Sequence, residues 1–392
     1  MKTRGQSAGQ RQAFRDLVLM PVAVVAYSVL LHVTYSQLVS PSFGYLGYRY
    51  SQPNLSAAVL TVVLTYICSL ALPLKLVRPS ATVLWILFVV AVAPIVLMSP
   101  YTGLLDETTA LTLSGTVTFS FVLTCVITRA HRPGRGWRMT ISSTDLWLVL
   151  GIISAITYVT AASTVGLSLE FVGLLDVYDV REQYVSELQG AGLLSYLLIT
   201  QSNVINPFIM ARGIYSGRWS LVMMGVVGQM VLYSATGFKT ILFSVAAIFV
   251  IALIHRSNLR PSGALMLWGA TSLVAVASLV DSLSSSNLLT SLFARRFLMT
   301  PGMLTTAYVA FFDQNPKALL DHSILEPWVQ YPYDTSPPRL IATFLINSPA
   351  TSMNANLFAD GFANFGWLGI VGAGLVLAAY LCILDWAARG LS

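Results

Sequence analysis

Residues 81–98 read ATVLWILFVVAVAPIVLM, eighteen positions without a charged side chain. Coiled as an α-helix at roughly 1.5 Å per residue, the stretch is about 27 Å long. That matches the ~30 Å hydrocarbon core of a bilayer. It is too long for one buried strand, and inside hydrocarbon only a helix pairs its own backbone within the segment. The stretch therefore predicts a transmembrane helix.

The same reading extends to both sides. Segments 17–38, 55–74, 108–128, 145–166, 191–211, 219–236, 237–254, 263–281 and 366–385 are comparably apolar. The expectation is an all-α, polytopic integral membrane protein with about ten transmembrane helices. The first segment is long for a signal peptide and lacks a clean small-residue cleavage site, so it reads as an uncleaved anchor. Composition agrees: 56% of the 392 residues are hydrophobic and 10% charged, against roughly 25% charged in soluble domains. Mean hydropathy is +0.73. Cys68, Cys125 and Cys382 all fall inside apolar blocks without metal-ligand spacing, and read as small buried hydrophobes.

The net charge of +6 does not call for nucleic acid, because in a membrane protein the location of charge decides more than its sum. With the N-terminus cytoplasmic, Lys2, Arg4, Arg11 and Arg15 lie inside, and the even loops add Lys75, Arg78, the basic run RAHRPGRGWRM (129–139), Arg212, Arg218, Arg256 and Arg260. Of 22 basic residues only Arg49, Arg181, Lys239, Arg295, Arg296, Lys317 and Arg339 fall outside. Both termini are expected in the cytoplasm, and the 129–139 run reads as a topology determinant, with a nucleic-acid or anionic-lipid patch as the alternative.

Three parts follow. Residues 1–281 hold the first nine helices, with a charged outer loop at 167–190. Residues 282–365 form a large extracytoplasmic loop between the last two helices, rich in proline. Residues 366–392 hold the last helix and the cytoplasmic C-terminus. Stretches 303–312 and 340–346 are apolar but too short to span, which suits interfacial or re-entrant segments. No internal repeat is evident, which argues against the inverted-repeat plan of many transporters.

Long loops on a membrane scaffold often carry function. The outer cations run against the charge bias, so Arg181, Lys239, Arg295, Arg296 and Arg339 are candidate ligands for an anion. Guanidinium binds phosphate in bidentate fashion and stays charged. The same residues could instead meet phospholipid headgroups, snorkel, or pair with local acids such as Asp179 and Glu182. His322, in the long outer loop, titrates in the range that suits proton transfer, and Asp360 is among the outer carboxylates; a plain loop histidine is the alternative for His322. No outer cluster has metal-ligand spacing, and no phosphate-cradling glycine loop, nucleophile elbow or redox motif occurs.

Three stretches resemble the bacterial O-antigen and oligosaccharide repeat-unit polymerases, the Wzy-type family. They are RRFLMTPGMLTTAYVAFFDQNP (295–316), NANLFADGFANFGWLGIVG (354–372) and the TGFK turn (236–239). Arg181, ten residues and then Gly192 also resembles an arginine-to-glycine spacing of that family. The chain departs from many relatives, which continue through further membrane segments after the glycine-rich helix.

The resemblance implies a metal-independent glycosyltransferase of the bacterial inner membrane, without a cofactor. Its substrates would be oligosaccharide repeat units on undecaprenyl pyrophosphate, with membrane lipids around it and a chain-length regulator protein as a candidate partner. Arg181, Lys239, Arg295, Arg296 and Arg339 would hold the pyrophosphate, and His322 or Asp360 would assist the acceptor hydroxyl. An O-antigen ligase shares this plan but uses another acceptor. A lipid-linked oligosaccharide flippase would instead place charges around a central cavity within the helices.

Overall fold

The structure is a computed structural model, describing residues 19–74, 76–131, 142–164, 192–256, 263–320, 332–354 and 356–388. All the elements are helical, with no strand among the described residues. In chain order they are α1 (Leu19–Leu46), α2 (Leu55–Ala71), α3 (Pro79–Met98), α4 (Glu107–Ala130), α5 (Ser143–Thr164), α6 (Leu193–Ser216), α7 (Trp219–Thr236), α8 (Lys239–Arg256), α9 (Gly263–Ser284), α10 (Thr290–Met299 continuing as Thr300–Gln314), α11 (Pro337–Ile346) and α12 (Leu357–Ala387).

The chain is a polytopic helical membrane protein. Each of the ten predicted segments contains a helix within its described residues, and eight helices among the described residues are long and apolar enough to cross a bilayer. The other two predicted segments coincide with shorter apolar helices, Leu55–Ala71 and Thr240–Leu253. The stretches 303–312 and 340–346 lie within α10 and α11. The last helix starts at Leu357, nine residues before the predicted 366, and breaks at Phe365 and Gly366, where Gly366 takes φ 62°. The expected boundary at 365/366 is thus a kink inside one element. Only glycine adopts that backbone at little cost.

Four wide π-helical turns share one cause. Tyr35–Val39, Phe88–Val92, Gln201–Ile205 and Thr290–Met299 each end two residues before a proline: Pro41, Pro94, Pro207 and Pro301. Proline offers no N–H and its ring crowds the carbonyl four residues back. A wider turn ahead of it lets the helix continue past that carbonyl.

The helices fall into two compact units, residues 1–136 with 261–392, and residues 137–260. In the first, small residues let α12 press onto α4. Ser120 Oγ donates to the Ile370 carbonyl and Thr124 Oγ1 to that of Gly374, each at 2.9 Å. A methyl on Gly374 would collide with Ser120. Without water to squeeze out, such close approach and hydroxyl bonding hold membrane helices together.

This unit has two polar ends. At one, Ser51 N donates to the Tyr101 carbonyl at 2.9 Å, and Asn356 Nδ2 reaches Thr305 Oγ1 at 2.7 Å. At the other, buried Asp385 of α12 accepts from Ser80 N at 3.1 Å and Ser80 Oγ at 2.7 Å, satisfying the start of α3. Arg78 adds a longer ion pair, 3.9 Å from Asp385.

The second unit is tied by a buried amide network. Gln201 Nε2 donates to Asn206 Oδ1 at 2.8 Å, Asn206 Nδ2 to Gln229 Oε1 at 3.2 Å, and Gln229 Nε2 to Ser244 Oγ at 2.7 Å.

Candidate functional site

The end of the first unit that carries Tyr48 and α10 holds two cationic features. The first is built on the π-helical half of α10. Its start is fixed by Asp281, whose carboxylate accepts from Thr290 N at 2.6 Å and Leu289 N at 3.3 Å. This acid on a helix N-terminus satisfies orphan donors and opposes the dipole.

Within that half Arg295 is only 8% exposed. Its Nε and Nη2 donate to Ser291 Oγ at 3.1 and 2.6 Å. The guanidinium carbon lies 4.3 Å from the Phe43 ring centre and 5.7 Å from that of Tyr48. Thr300 Oγ1 donates to the Arg295 carbonyl at 2.7 Å, so the Tyr48 hydroxyl, 2.8 Å away, donates to Thr300. Burial pushes the Tyr48 phenol up, against the opposing pull of Thr300, Arg295 and Arg296. Both arginines therefore act on one tyrosine. Among the described residues no carboxylate lies within ion-pair distance of Arg295. Ring faces attract a cation, yet a buried charge without a counter-charge remains costly.

The second feature is a groove of about 700 Å³ along the kinked half of α12. Breaking the helix at Phe365 frees the Ala363 carbonyl, which accepts from Ala318 N at 2.8 Å. Asn364, buried, accepts from Leu320 N at 2.7 Å and donates to the Asp360 carbonyl at 2.8 Å. The docked loop carries consecutive left-handed residues, Leu319 at φ 50° and Leu320 at φ 66°. Bulky side chains rarely adopt that conformation, and the strain requires the surrounding contacts to hold it.

The loop presents Lys317, whose Nζ donates to the Phe312 carbonyl and sits 4.3 Å from the Phe362 ring centre. Burial lowers the Lys317 ammonium pKa, with Asp313 pulling it back. Lys317, Asp360 and Asn364 line the polar part of the groove, and Leu368, Gly369, Gly372, Ala373 and Val376 its apolar continuation. Its chemistry is that of an amphiphile site: a charged mouth and a greasy floor.

The predicted residues divide accordingly. Arg295 and Arg296 share the Tyr48 environment, with Arg296 exposed. Asp360 is exposed at the groove, where Lys317 and Asn364 join it. Arg339 is exposed on α11 and lines neither feature. Arg181 and His322 lie outside the described residues, as does the Lys239 side chain; the Lys239 backbone opens α8 in the other unit. Arg295 and Phe312 are separated by 17 positions along α10, about 25 Å at the helical rise. The arginine pair and Lys317 are therefore two places, not one cluster.

Sequence reasoning passed over Lys317 and Asn364. The Asn315-Pro316 pair marks a turn, and Gly366 marks a break, but only the fold brings the two together. Among the described residues, no group of three His, Cys, Asp or Glu side chains is placed to hold a metal ion. Comparison with family models, curated proteins and solved structures gives no match for this chain.

Proposed function

We propose that the chain polymerises oligosaccharide repeat units carried on a lipid pyrophosphate, in a bacterial inner membrane. Both termini are cytoplasmic in this reading, and the Tyr48 end faces away from the cytoplasm, as the lysine and arginine bias favours. The observation that carries the proposal is Arg295: a guanidinium buried among aromatic rings, with no carboxylate partner among the described residues. An anionic ligand would supply the missing counter-charge.

The transfer joins two lipid-linked substrates, and two cationic features suit it. Arg295 and Arg296 hold the pyrophosphate of the donor, the growing glycan. The groove takes the lipid chain of the incoming unit, with Lys317 on its pyrophosphate. Asp360 lines the groove beside Lys317, on the stretch of α12 that Asn356 ties to α10 through the Pro301 carbonyl and Thr305.

An acceptor hydroxyl attacks the donor's anomeric carbon, the bond from that carbon to the pyrophosphate oxygen breaks, and the fixed guanidinia take up the charge of the leaving group. The hydroxyl proton passes to Asp360 or His322. The products are a glycan longer by one unit on the acceptor lipid and a free lipid pyrophosphate.

Reconstitution with purified lipid-linked repeat units tests this. Loss of one transition-state donor typically costs about 10²–10³-fold in rate, so Arg295→Ala should leave mostly single units. Lys317→Ala should raise the KM for the acceptor unit. Unchanged rate and chain length in both variants would refute the assignment.

A further inference from the structure

At the end of the first unit away from Tyr48, the start of α3 meets the C-terminal ends of α2 and α4. Arg129 Nη1 donates to the Ala71 carbonyl at 3.1 Å, and Arg78 Nη1 to the His131 carbonyl at 3.3 Å. Between these arginines opens a cavity of about 500 Å³, within the ~300–1,000 Å³ of small-ligand pockets. Its walls are apolar, including Met20, Leu70 and Leu84.

The hydroxyls lining it are already spent as donors. Ser69 donates to the Tyr66 carbonyl, Thr128 to that of Thr124, and Ser80 to Asp385, each at 2.7 Å. The guanidinia are not: each has five N–H donors and commits one nitrogen to a carbonyl. The Asp385 carboxylate is occupied by Ser80 and lies 3.9 Å from Arg78 alone. Arg129, which is exposed at the cavity, has no carboxylate within ion-pair distance among the described residues.

We infer that this cavity binds an anionic phospholipid, with its phosphate between Arg78 and Arg129 and an acyl chain along Met20, Leu70 and Leu84. Inorganic phosphate would satisfy the guanidinia but leave the apolar walls bare. A zwitterionic lipid would fill the walls but bring a second cation with its phosphate, beside two guanidinia that already supply positive charge. Basic pockets between membrane helices hold anionic headgroups on the same principle. The inference is independent of the chemistry proposed at the other end.

The full chain, purified in detergent, is titrated with phosphatidylglycerol, with phosphatidylcholine of the same chains, and with inorganic phosphate, and bound lipid is read by native mass spectrometry. Phosphatidylglycerol should bind, and phosphatidylcholine about tenfold or more weakly. Each arginine near an anionic headgroup is worth about fivefold, so Arg129→Gln should weaken binding about fivefold and the double change with Arg78→Gln about 25-fold. Leu74→Trp narrows the cavity with both charges kept and should also weaken binding. Should the double variant fail to fold, Arg129→Gln and Leu74→Trp decide. Equal binding of the two lipids, wild-type binding by both single variants, or displacement of phosphatidylglycerol by inorganic phosphate would overturn the proposal.

Discussion

The strained loop beside α12 gives a quantitative test in Asn364→Ala. In the native protein the Leu320 N–H is met by Asn364 Oδ1 at 2.7 Å, and the same side chain donates to the Asp360 carbonyl at 2.8 Å. Asn364 is buried, and its loss removes both of these bonds at once. At about 0.5–1.5 kcal/mol net for each hydrogen bond, the two together are worth about 1–3 kcal/mol. Two leucines held at positive φ add strain of about 1–3 kcal/mol each, which opening of the loop releases. The closed loop should therefore lose about 1–3 kcal/mol, a 5- to 150-fold rise in the open population. Hydrogen–deuterium exchange over 318–320 reads this directly. Asn364→Asp keeps an acceptor oxygen for Leu320 and should retain most protection. Unchanged exchange at Ala318 and Leu320 in Asn364→Ala would refute the argument that this side chain holds the loop.

Asp281→Ala should cost the ~1–2 kcal/mol of a lost helix cap and lower the unfolding midpoint accordingly, with Asp281→Asn milder; a thermal unfolding series in one detergent ranks the three proteins. Asp385→Ala strips partners from the buried start of α3, and should cost about 1–3 kcal/mol. Arg78→Gln removes a 3.9 Å pair and a long, exposed bond to the His131 carbonyl from a side chain 46% exposed, together worth about 1 kcal/mol or less, and a larger loss than in Asp385→Ala would contradict this ranking. Because burial disfavours the charged form of Lys317, the folded state gains stability from this group as pH rises through its lowered pKa toward the ordinary lysine value. Acylation of Lys317, followed by mass spectrometry against pH, should have its midpoint below that ordinary value, and Asp313→Asn should move it lower still.

The membrane helices were legible because each needs only local information: length, hydrophobicity and freedom from charge. Their ends were less so. The last helix begins at Leu357 because Asn356 caps it, accepting from Phe358 N and Ala359 N, and no hydropathy window weighs a cap. The π-helical turns were written in the sequence as prolines within or beside apolar runs, a signal that hydropathy alone does not use. Arg295 could be singled out because charges are scarce between leucines and phenylalanines. Lys317 could not: its surroundings come from Phe362, Asn364 and Gly366, more than forty residues on, and from a kink that a single glycine permits. Arg339 looked equivalent to Arg295 in sequence, and differs because α11 leaves it facing outward.

The proline-linked wide turns also bear on how such a chain tolerates length changes. Removing one residue from an ordinary helix rotates everything beyond it by about 100°, which would turn a lipid-facing row inward. A loosened turn already contains a surplus position, so a single deletion between Thr290 and Met299 can be absorbed by tightening to the ordinary pitch. The frame of α10 beyond Pro301 would then survive while Arg295 swings round the axis, away from Phe43 and Tyr48. Such a deletion separates the support the helix gives its neighbours from the direction in which its cation points.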